Sequence, residues 1–219
     1  MVRYKVFISL LLALELFGLH TPVLAQMNNN KKRVIVIDPG HGGKDSGAMG
    51  VNGILEKNIV LNIAKEIVEL NETIFKNRFE IYLTRYSDTL ISLGDRTELA
   101  KSLKADLFLS LHCNYSDNSN ARGVEAYVSK KHGKYSRKST LLAYELQKDL
   151  KENLGFESRG LKFADFRVLR MTIDFCSTVL LEMGFLSNFK ETYFFAEDQN
   201  IKFIAFVLLD SMIKISKNE

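Results

Sequence analysis

Three apolar segments of the sequence each lead to a side chain that binds metal ions or transfers protons. The segments and the side chains that follow them are residues 34–37 before His41, residues 107–111 before His112, and residues 179–181 before Glu182. Short apolar runs of this kind are typical of buried parallel strands. Because ligand sites form beyond the carboxyl ends of parallel strands, we expect all three side chains at one edge of a sheet. The pattern predicts the site of a zinc-dependent hydrolase.

The third zinc ligand is expected to be a carboxylate. A catalytic zinc ion takes three protein ligands and keeps one position open. His20 lies in a segment that is expected to be removed and His132 in a basic, solvated loop, so only His41 and His112 remain as histidine ligands. Glu56 is the best third candidate, because it heads an apolar row of a predicted helix and therefore faces inward in the first turn. The alternative is a carboxylate that only offsets the positive charge of the helix start.

Glu182 lies within an apolar stretch of the sequence, since residues 179–186 contain no other polar side chain. A buried carboxylate is disfavoured as an anion unless a positive charge or hydrogen-bond donors offset its desolvation, and a zinc ion would do so. Glu182 is therefore predicted to act as a general base and then as a general acid. Two alternatives stay open, an ion pair of Glu182 with Arg170 and an ordinary structural role for His41 and His112.

The segment over residues 1–25 resembles a secretory signal peptide. Arg3 and Lys5 precede an apolar run over residues 6–19, and a small residue closes the segment. The run is shorter than the roughly 20 residues that a membrane-spanning helix needs, so an uncleaved anchor is not expected. We therefore expect a single exported domain over residues 26–219, with no membrane insertion after cleavage and no appended wall-binding module.

Charge and cysteine usage narrow the choice of partners. The formal net charge of +4 is spread along the chain rather than concentrated in a basic helix, so nucleic-acid binding is not expected. A mildly basic surface suits an anionic cell-wall polymer. Cys113 and Cys176 would lie at opposite edges of a parallel sheet, so both are predicted to be free thiols. Because neighbouring strand side chains face opposite ways, Cys113 is not expected to bind zinc beside His112.

Strand and helix patterns alternate along the chain, which predicts an α/β fold. We expect a single-domain three-layer sandwich, with a mostly parallel mixed sheet covered by helices on both faces. The strand candidates are residues 33–38, 79–84, 106–112, 123–129, 167–170 and 178–184. The helix candidates are residues 54–70, 94–103, 140–153 and 200–216. Residues 130–138 and 157–162 are expected to be the main polar loops.

Seven motifs, taken in order, resemble the zinc-dependent N-acetylmuramoyl-L-alanine amidases of bacterial cell-wall turnover, the amidase 3 catalytic domain. They are VIVIDPGHGG at residues 34–43, LEKN at 55–58, LTR at 83–85, LGDR at 93–96, LSLHCN at 109–114, GVE at 123–125 and VLLEMGFLSN at 179–188. The resemblance implies one zinc ion per chain, held by His41, Glu56 and His112, with Glu182 as the catalytic carboxylate and Arg170 near the site. It also implies peptidoglycan as substrate and cleavage between the lactyl group of N-acetylmuramic acid and L-alanine.

The chain departs from the family at Phe175-Cys176-Ser177, where a small residue or proline often precedes the catalytic strand. Some relatives carry an inserted helix that covers the zinc, but residues 128–140 form too short a stretch for one. We therefore expect an open site that needs no activating partner, in a monomer exported to the periplasm of a Gram-negative bacterium. Two alternatives remain. One is a zinc carboxypeptidase or endopeptidase acting on stem peptides, and the other is a silent wall-binding protein, which would be expected to lack Glu182 or a ligand.

Overall fold

The computed structural model describes residues 31–217, and the expected signal peptide lies outside them. The elements of the described residues are, in chain order, β1 (Val34–Pro39), α1 (Glu56–Thr73), β2 (Glu80–Leu83), α2 (Leu93–Ser102), β3 (Leu107–Asn114), β4 (Val124–Ser129), α3 (Ser136–Leu154), β5 (Ser158–Ala164), α4 (Arg167–Thr172), β6 (Ser177–Phe185), α5 (Phe189–Phe195) and α6 (Asp198–Lys217). Strands and helices alternate over most of this range, as the sequence pattern predicts.

The six strands form one sheet in the order β2-β1-β3-β6-β4-β5. Strands β2, β1, β3 and β6 are parallel to one another, whereas β4 runs antiparallel to β6 and pairs in parallel with β5. The predicted mixed sheet with mostly parallel pairing is therefore confirmed. In the register of the central pair, His112 lies opposite Glu182. The carboxyl ends of β1, β3 and β6 thus meet at one edge.

Apolar side chains cover both faces of the sheet, which explains the three layers. The larger core contains Ile35 and Ile37 of β1 and packs under α1, α3 and α6. The smaller core contains Val34 and Val36 of the same strand, together with Phe108, and packs against α2 and α4. Because successive strand side chains face opposite ways, a continuous apolar run can serve both cores. The apolar strands are therefore fully covered, as expected for a parallel sheet.

Two predicted segments have a different structure. Residues 167–170 were predicted as a strand but begin the helix α4, because Val168, Leu169 and Thr172 are buried at helical spacing against the smaller core. Residues 157–162 were predicted as a loop but form most of β5. This edge strand is polar and partly exposed, so it lacks the apolar pattern of a buried strand. The short helix α5 was not predicted at all.

The two cysteines are free and buried, which confirms the prediction made for them. The two thiols lie at opposite edges of the parallel sheet, as expected, since Cys113 lies near the carboxyl end of β3 and Cys176 directly precedes β6. Within the part of the chain that the structure describes, no helix is long and apolar enough to cross a bilayer.

Candidate metal centre and active site

The candidate site is a cluster of His41, Glu56 and His112. Ligand-type atoms of these three side chains all lie within 4.8 Å of one another. His41 follows β1, His112 lies in β3, and Glu56 is the first residue of α1. The His41 Nε2 atom lies 3.0 Å from Glu56 Oε1, and the His112 Nδ1 atom lies 2.9 Å from the same oxygen. Three side chains far apart in the sequence therefore surround one small volume.

A tight loop after β1 brings His41 to the cluster. His41 has a φ of 61°, a left-handed conformation that is uncommon for a residue other than glycine. Gly40 lies directly against the neighbouring ring, since an added Cβ would come within 2.2 Å of His112 Cε1. Gly47 packs in the same way, and its Cβ would come within 2.4 Å of Glu56 Oε2. Glycine at these two positions allows the backbone to approach the cluster closely.

Glu56 is fixed by backbone groups as well as by the imidazoles. It is buried, with 3% of its surface exposed. Its Oε2 atom accepts a hydrogen bond from the Ala48 N–H at 2.8 Å, and its Oε1 atom accepts one from the Cys113 N–H at 3.0 Å. A carboxylate that only offset the charge of the helix start would remain exposed, so that reading does not fit this position.

The cluster favours positive charge at its histidines. Burial alone would lower the pKa of His41, but its contacts with Glu56 and Asp45 raise this pKa to about 9. Burial also opposes protonation of His112, yet the hydrogen bond with Glu56 and the charge of Glu182 raise its pKa. Burial would raise the pKa of Glu56, whereas the two imidazoles hold it well below its usual range. The arrangement therefore attracts cations.

The donor atoms of the cluster fit a zinc ion. A carboxylate oxygen only accepts hydrogen bonds, so each imidazole needs a proton to bond with Glu56. A divalent cation can replace those protons, because neutral imidazole nitrogen and carboxylate oxygen both bind zinc. Two imidazoles and one carboxylate also leave the fourth tetrahedral position open, as in catalytic zinc sites.

An outer carboxylate adds to this fit. The His41 Nδ1 atom lies 2.9 Å from Asp45 Oδ1, on the side of the ring away from the contact with Glu56. Carboxylates in this position orient many metal-binding histidines. The two groups are close but not aligned for a hydrogen bond, so Nδ1 is a buried polar atom without a partner. A small adjustment of either side chain would form that bond.

Glu182 lies beside the cluster on β6, opposite His112 in the sheet register. Its Oε2 atom is buried and has no hydrogen-bond partner among the described residues. Burial raises the pKa of Glu182 to about 7; the charges of Glu56 and Glu125 act in the same direction, and His112 opposes them. An ion pair with Arg170 does not form, because the Arg170 Nη1 atom instead donates to Asp165 Oδ1 at 2.6 Å.

A second carboxylate, Glu125, lies opposite Glu182 in the antiparallel β4–β6 pair. Its Oε1 atom lies 2.6 Å from Arg159 Nε and 2.7 Å from Lys162 Nζ. Its Oε2 atom accepts a hydrogen bond from the Tyr127 hydroxyl at 2.6 Å. Although burial would raise the pKa of Glu125, these partners hold it below its usual range. Glu182 is therefore the carboxylate of this pair that retains an unsatisfied oxygen.

Two buried arginines hold the loop that carries His41. The Arg85 Nε atom donates to the carbonyl of residue 39 at 3.0 Å, and its Nη2 atom donates to the carbonyl of residue 40 at 2.8 Å. The Arg96 Nη2 atom donates to the His41 carbonyl at 2.6 Å, and its Nη1 atom donates to Asp38 Oδ1 at 2.6 Å. Both arginines are 3% exposed. The LTR and LGDR motifs contain them, but no pattern in either motif indicates this contact with the loop.

An open cavity of about 870 Å³ lies over the cluster. Its walls include the three cluster residues, Glu182, and the start of α4 with Arg167. This volume lies within the range typical of ligand sites, roughly 300–1,000 Å³, and exceeds what one amide group needs. The space can therefore hold a substrate that extends on both sides of a reacting bond.

Three other residues considered in the sequence analysis do not belong to the cluster. Arg170 does not line the cavity; Arg167, one turn earlier on the same helix, does. The cause is that residues 167–172 form a helix rather than the predicted strand, which changes the direction of each side chain. Cys113 borders the cavity but contributes no atom to the cluster. His132 lies in an exposed loop, as expected.

Comparisons with known proteins agree with this geometry. A family model described as N-acetylmuramoyl-L-alanine amidase matches residues 35–213. The N-acetylmuramoyl-L-alanine amidase LytC of Bacillus subtilis (strain 168) is 41% identical over 154 residues, which are 70% of this chain. That match spans only 29% of LytC, so this chain covers less than a third of that relative's length.

Solved structures of similar proteins match this chain over nearly their whole length. The catalytic domain of CwlV from Bacillus (Paenibacillus) polymyxa superposes with a TM-score of 0.75 and 32% identity, over 85% of this chain and 99% of that one. The amidase AmiC2 of Nostoc punctiforme gives a TM-score of 0.77 and 30% identity, over 85% and 98% of the two chains. The fold described above is therefore that of amidase catalytic domains.

Proposed function

The chain belongs to the N-acetylmuramoyl-L-alanine amidase family, and we propose that it hydrolyses the amide bond between the lactyl group of N-acetylmuramic acid and the L-alanine of the peptidoglycan stem peptide. The observation that carries this proposal is the cluster of His41, Glu56 and His112 beside the unsatisfied carboxylate of Glu182, all bordering one open cavity. Amide hydrolysis needs a group that polarises the carbonyl, a group that accepts a proton, and room for the substrate. The cluster can hold a metal ion that polarises the carbonyl, Glu182 can accept the proton, and the cavity provides the room.

In this proposal one zinc ion is held by His41, Glu56 and His112. When bound, zinc polarises the amide carbonyl and lowers the pKa of a water molecule toward about 7. Asp45 lies against the outer side of the His41 ring and would orient it through a hydrogen bond to Nδ1, and Glu56 is kept in place by two backbone N–H groups. The ligands are therefore positioned before the metal arrives.

Glu182 transfers the proton in this proposal. Its Oε2 atom has no hydrogen bond to give up, so it can accept the proton of a water molecule. The same oxygen then returns the proton to the departing nitrogen of L-alanine. Burial keeps the pKa of Glu182 near 7, and a cation in the cluster would lower it toward the range of a general base at neutral pH. No protein nucleophile is required.

We also propose the finer points of location and assembly. The segment over residues 1–25 directs export, and the protein acts as a monomer in the periplasm of a Gram-negative bacterium. The stretch between β4 and α3 is short, which supports a site that needs no activator. Arg170 is left out of the mechanism, because it pairs with Asp165 away from the cavity wall.

The proposal is tested by mass spectrometry of purified peptidoglycan after incubation with the zinc-loaded protein. Free stem peptides that begin with L-alanine, next to an intact glycan, are the expected products. Glu182→Gln and a chelator should each abolish them. Shortened peptides still attached to muramic acid would instead make the protein a carboxypeptidase or endopeptidase. Absence of any product would point to a wall-binding protein without activity.

A further inference from the structure

The charged groups on the cavity wall suggest which part of the substrate the site recognises. Resting on the proposed function, we infer that Arg167 binds the free carboxylate on the second residue of the stem peptide. Arg167 would then set a preference for acidic over amidated peptides. This role concerns substrate recognition and is separate from the proton transfer by Glu182.

The position of Arg167 carries this inference. It is the first residue of α4, is exposed, and lines the same cavity as the metal cluster and Glu182. Its Nε atom contacts the Met171 sulfur at 3.4 Å, and no carboxylate within residues 31–217 pairs with its guanidinium. The planar edge that binds carboxylates in a bidentate manner is thus still available.

The other charged groups of the wall, outside the cluster and Glu182, are already engaged. Asp38 pairs with Arg96, Asp45 accepts a hydrogen bond from the Gly47 N–H, and Asp95 accepts one from the Ser92 hydroxyl. Among the described residues of the wall, Arg167 is therefore the cation that remains available for a ligand. Most other charged groups of this wall are carboxylates, so Arg167 marks the place where an anionic group is favoured.

The chemistry of the substrate supplies such a group. One residue beyond the L-alanine, stem peptides carry a glutamate that is linked through its side-chain carboxyl. Its other carboxyl group is free in some cell walls and amidated in others. A guanidinium distinguishes these two forms, because it bonds the carboxylate with charge assistance and the amide without it. Arg167 and the cluster lie on the wall of the same cavity, so one bound substrate can contact both.

The test compares two substrates in which the side-chain carboxyl is linked to a third residue, N-acetylmuramyl-L-alanyl-γ-D-glutamyl-L-lysine and N-acetylmuramyl-L-alanyl-D-isoglutaminyl-L-lysine. The zinc-loaded protein should prefer the acid in kcat/KM by about tenfold or more, the usual effect of a hydrogen bond to a charged group. Arg167→Gln should bring this ratio close to one, chiefly by raising KM for the acid. Arg167→Lys should keep part of the preference, because it retains the charge but loses the bidentate geometry.

Two further variants show whether the effect belongs to this position. Arg78→Gln removes an exposed arginine just before β2, at the opposite edge of the sheet, and should leave the ratio unchanged. Arg170→Gln removes the arginine one turn further along the same helix. Loss of the preference in Arg170→Gln but not in Arg167→Gln would overturn the inference, as would equal kcat/KM for both substrates in the unmodified protein.

Binding is measured separately, so that failure of the proposed activity can be recognised. In a Glu182→Gln background, calorimetric titration should give a lower Kd for the acid than for the amide, and Arg167→Gln should remove the difference. If the protein cleaves neither peptide but this binding preference persists, the amidase proposal fails and the role of Arg167 stands. If binding shows no preference, the role of Arg167 is wrong whatever the activity.

Discussion

Glu182 and the three cluster residues differ in their surroundings, and substitution should separate their functions. Glu182→Gln keeps the shape of the side chain but removes the proton acceptor. We expect a loss of kcat of at least about 100-fold, the usual contribution of a general base, with zinc still bound at one ion per chain. His112→Ala should lose both zinc and turnover, since it removes a proposed ligand and leaves Glu56 with one imidazole. Metal analysis and kinetics on the same preparations check both results.

Two outcomes for Glu182→Gln would contradict the assigned role of Glu182. If Glu182→Gln also lost its zinc, Glu182 would contribute to metal binding and its assignment as proton carrier would be wrong. If it kept full turnover, another group of the cavity would accept the proton. Thermal unfolding of each variant shows whether a loss reflects the site or the fold.

Gly40 is expected to tolerate no side chain. In Gly40→Ala the new Cβ would lie 2.2 Å from His112 Cε1, so the ring would have to move away from Glu56. We expect zinc affinity to fall at least about tenfold, as for other changes that misplace a ligand. Gly94→Ala is the matched control, because its nearest contact would be an ordinary 3.7 Å from Ser92 Oγ. Equal zinc affinities in the two variants would contradict the proposed packing.

At the residue scale, the sequence predicted the side chains whose chemistry is unusual for their position. His41, His112 and Glu182 end apolar runs, and Glu56 heads an apolar helix row, so each signal is local. The arginines behave differently. Arg85 and Arg96 bind backbone carbonyl groups of the loop that lie 45 to 57 residues away in sequence, and no local pattern marks such contacts. The choice between Arg167 and Arg170 also depended on the type of element, which the sequence did not reveal.

At the scale of elements, the loop after β1 depends on the helix α2 through Arg96. Arg96→Met should destabilise the fold by roughly 3–5 kcal/mol, because it leaves the buried Asp38 carboxylate without its cation. It should also lower zinc affinity at least about tenfold, because the carbonyl of His41 loses its donor. Urea unfolding measures the first effect and zinc titration measures the second.

A double variant separates these two contributions of Arg96. Adding Asp38→Asn to Arg96→Met removes the unpaired charge, so part of the lost stability should return. Zinc affinity should stay low, since the bond to the His41 carbonyl is still missing. Recovery of both properties would mean that Arg96 acts through charge alone and does not position the loop.

All elements except α4, β5 and α5 were predicted with the correct type, and the clearest predictions are those with long apolar patterns. The strands β1, β3 and β6 and the helices α1 and α6 contain many buried aliphatic side chains, so their periodicity is clear. The failures are short or polar elements. The helix α4 has only six residues, and the pattern of residues 167–170 is too short to distinguish a helix from a strand. The strand β5 is an edge strand, and its pairing with β4 depends on distant backbone groups rather than on its own pattern.

At the scale of the whole molecule, the sheet topology explains why the site lies where it does. The parallel strands β1, β3 and β6 bring His41, His112 and Glu182 to one edge, and α1 begins at that same edge with Glu56. Because β4 runs antiparallel to β6, it brings Glu125 opposite Glu182. The two carboxylates lie in adjacent strands, and the cations on β5 neutralise Glu125. The direction of one strand thus helps to keep Glu182 chemically distinct.

The cluster joins the ends of β1 and β3 to the start of α1, so zinc should stabilise the whole fold. A ligand that binds only the folded state at 1,000 times its Kd stabilises it by about 4 kcal/mol. For a domain of this size we expect Tm to rise by roughly 10 °C when zinc is added to chelator-treated protein. Glu56→Gln and His112→Ala should show almost no rise, because each lacks one of the three proposed ligands. Calorimetry of the three proteins with and without zinc measures this directly. A rise of the same size in all three would show that zinc binds elsewhere and that the cluster holds no metal.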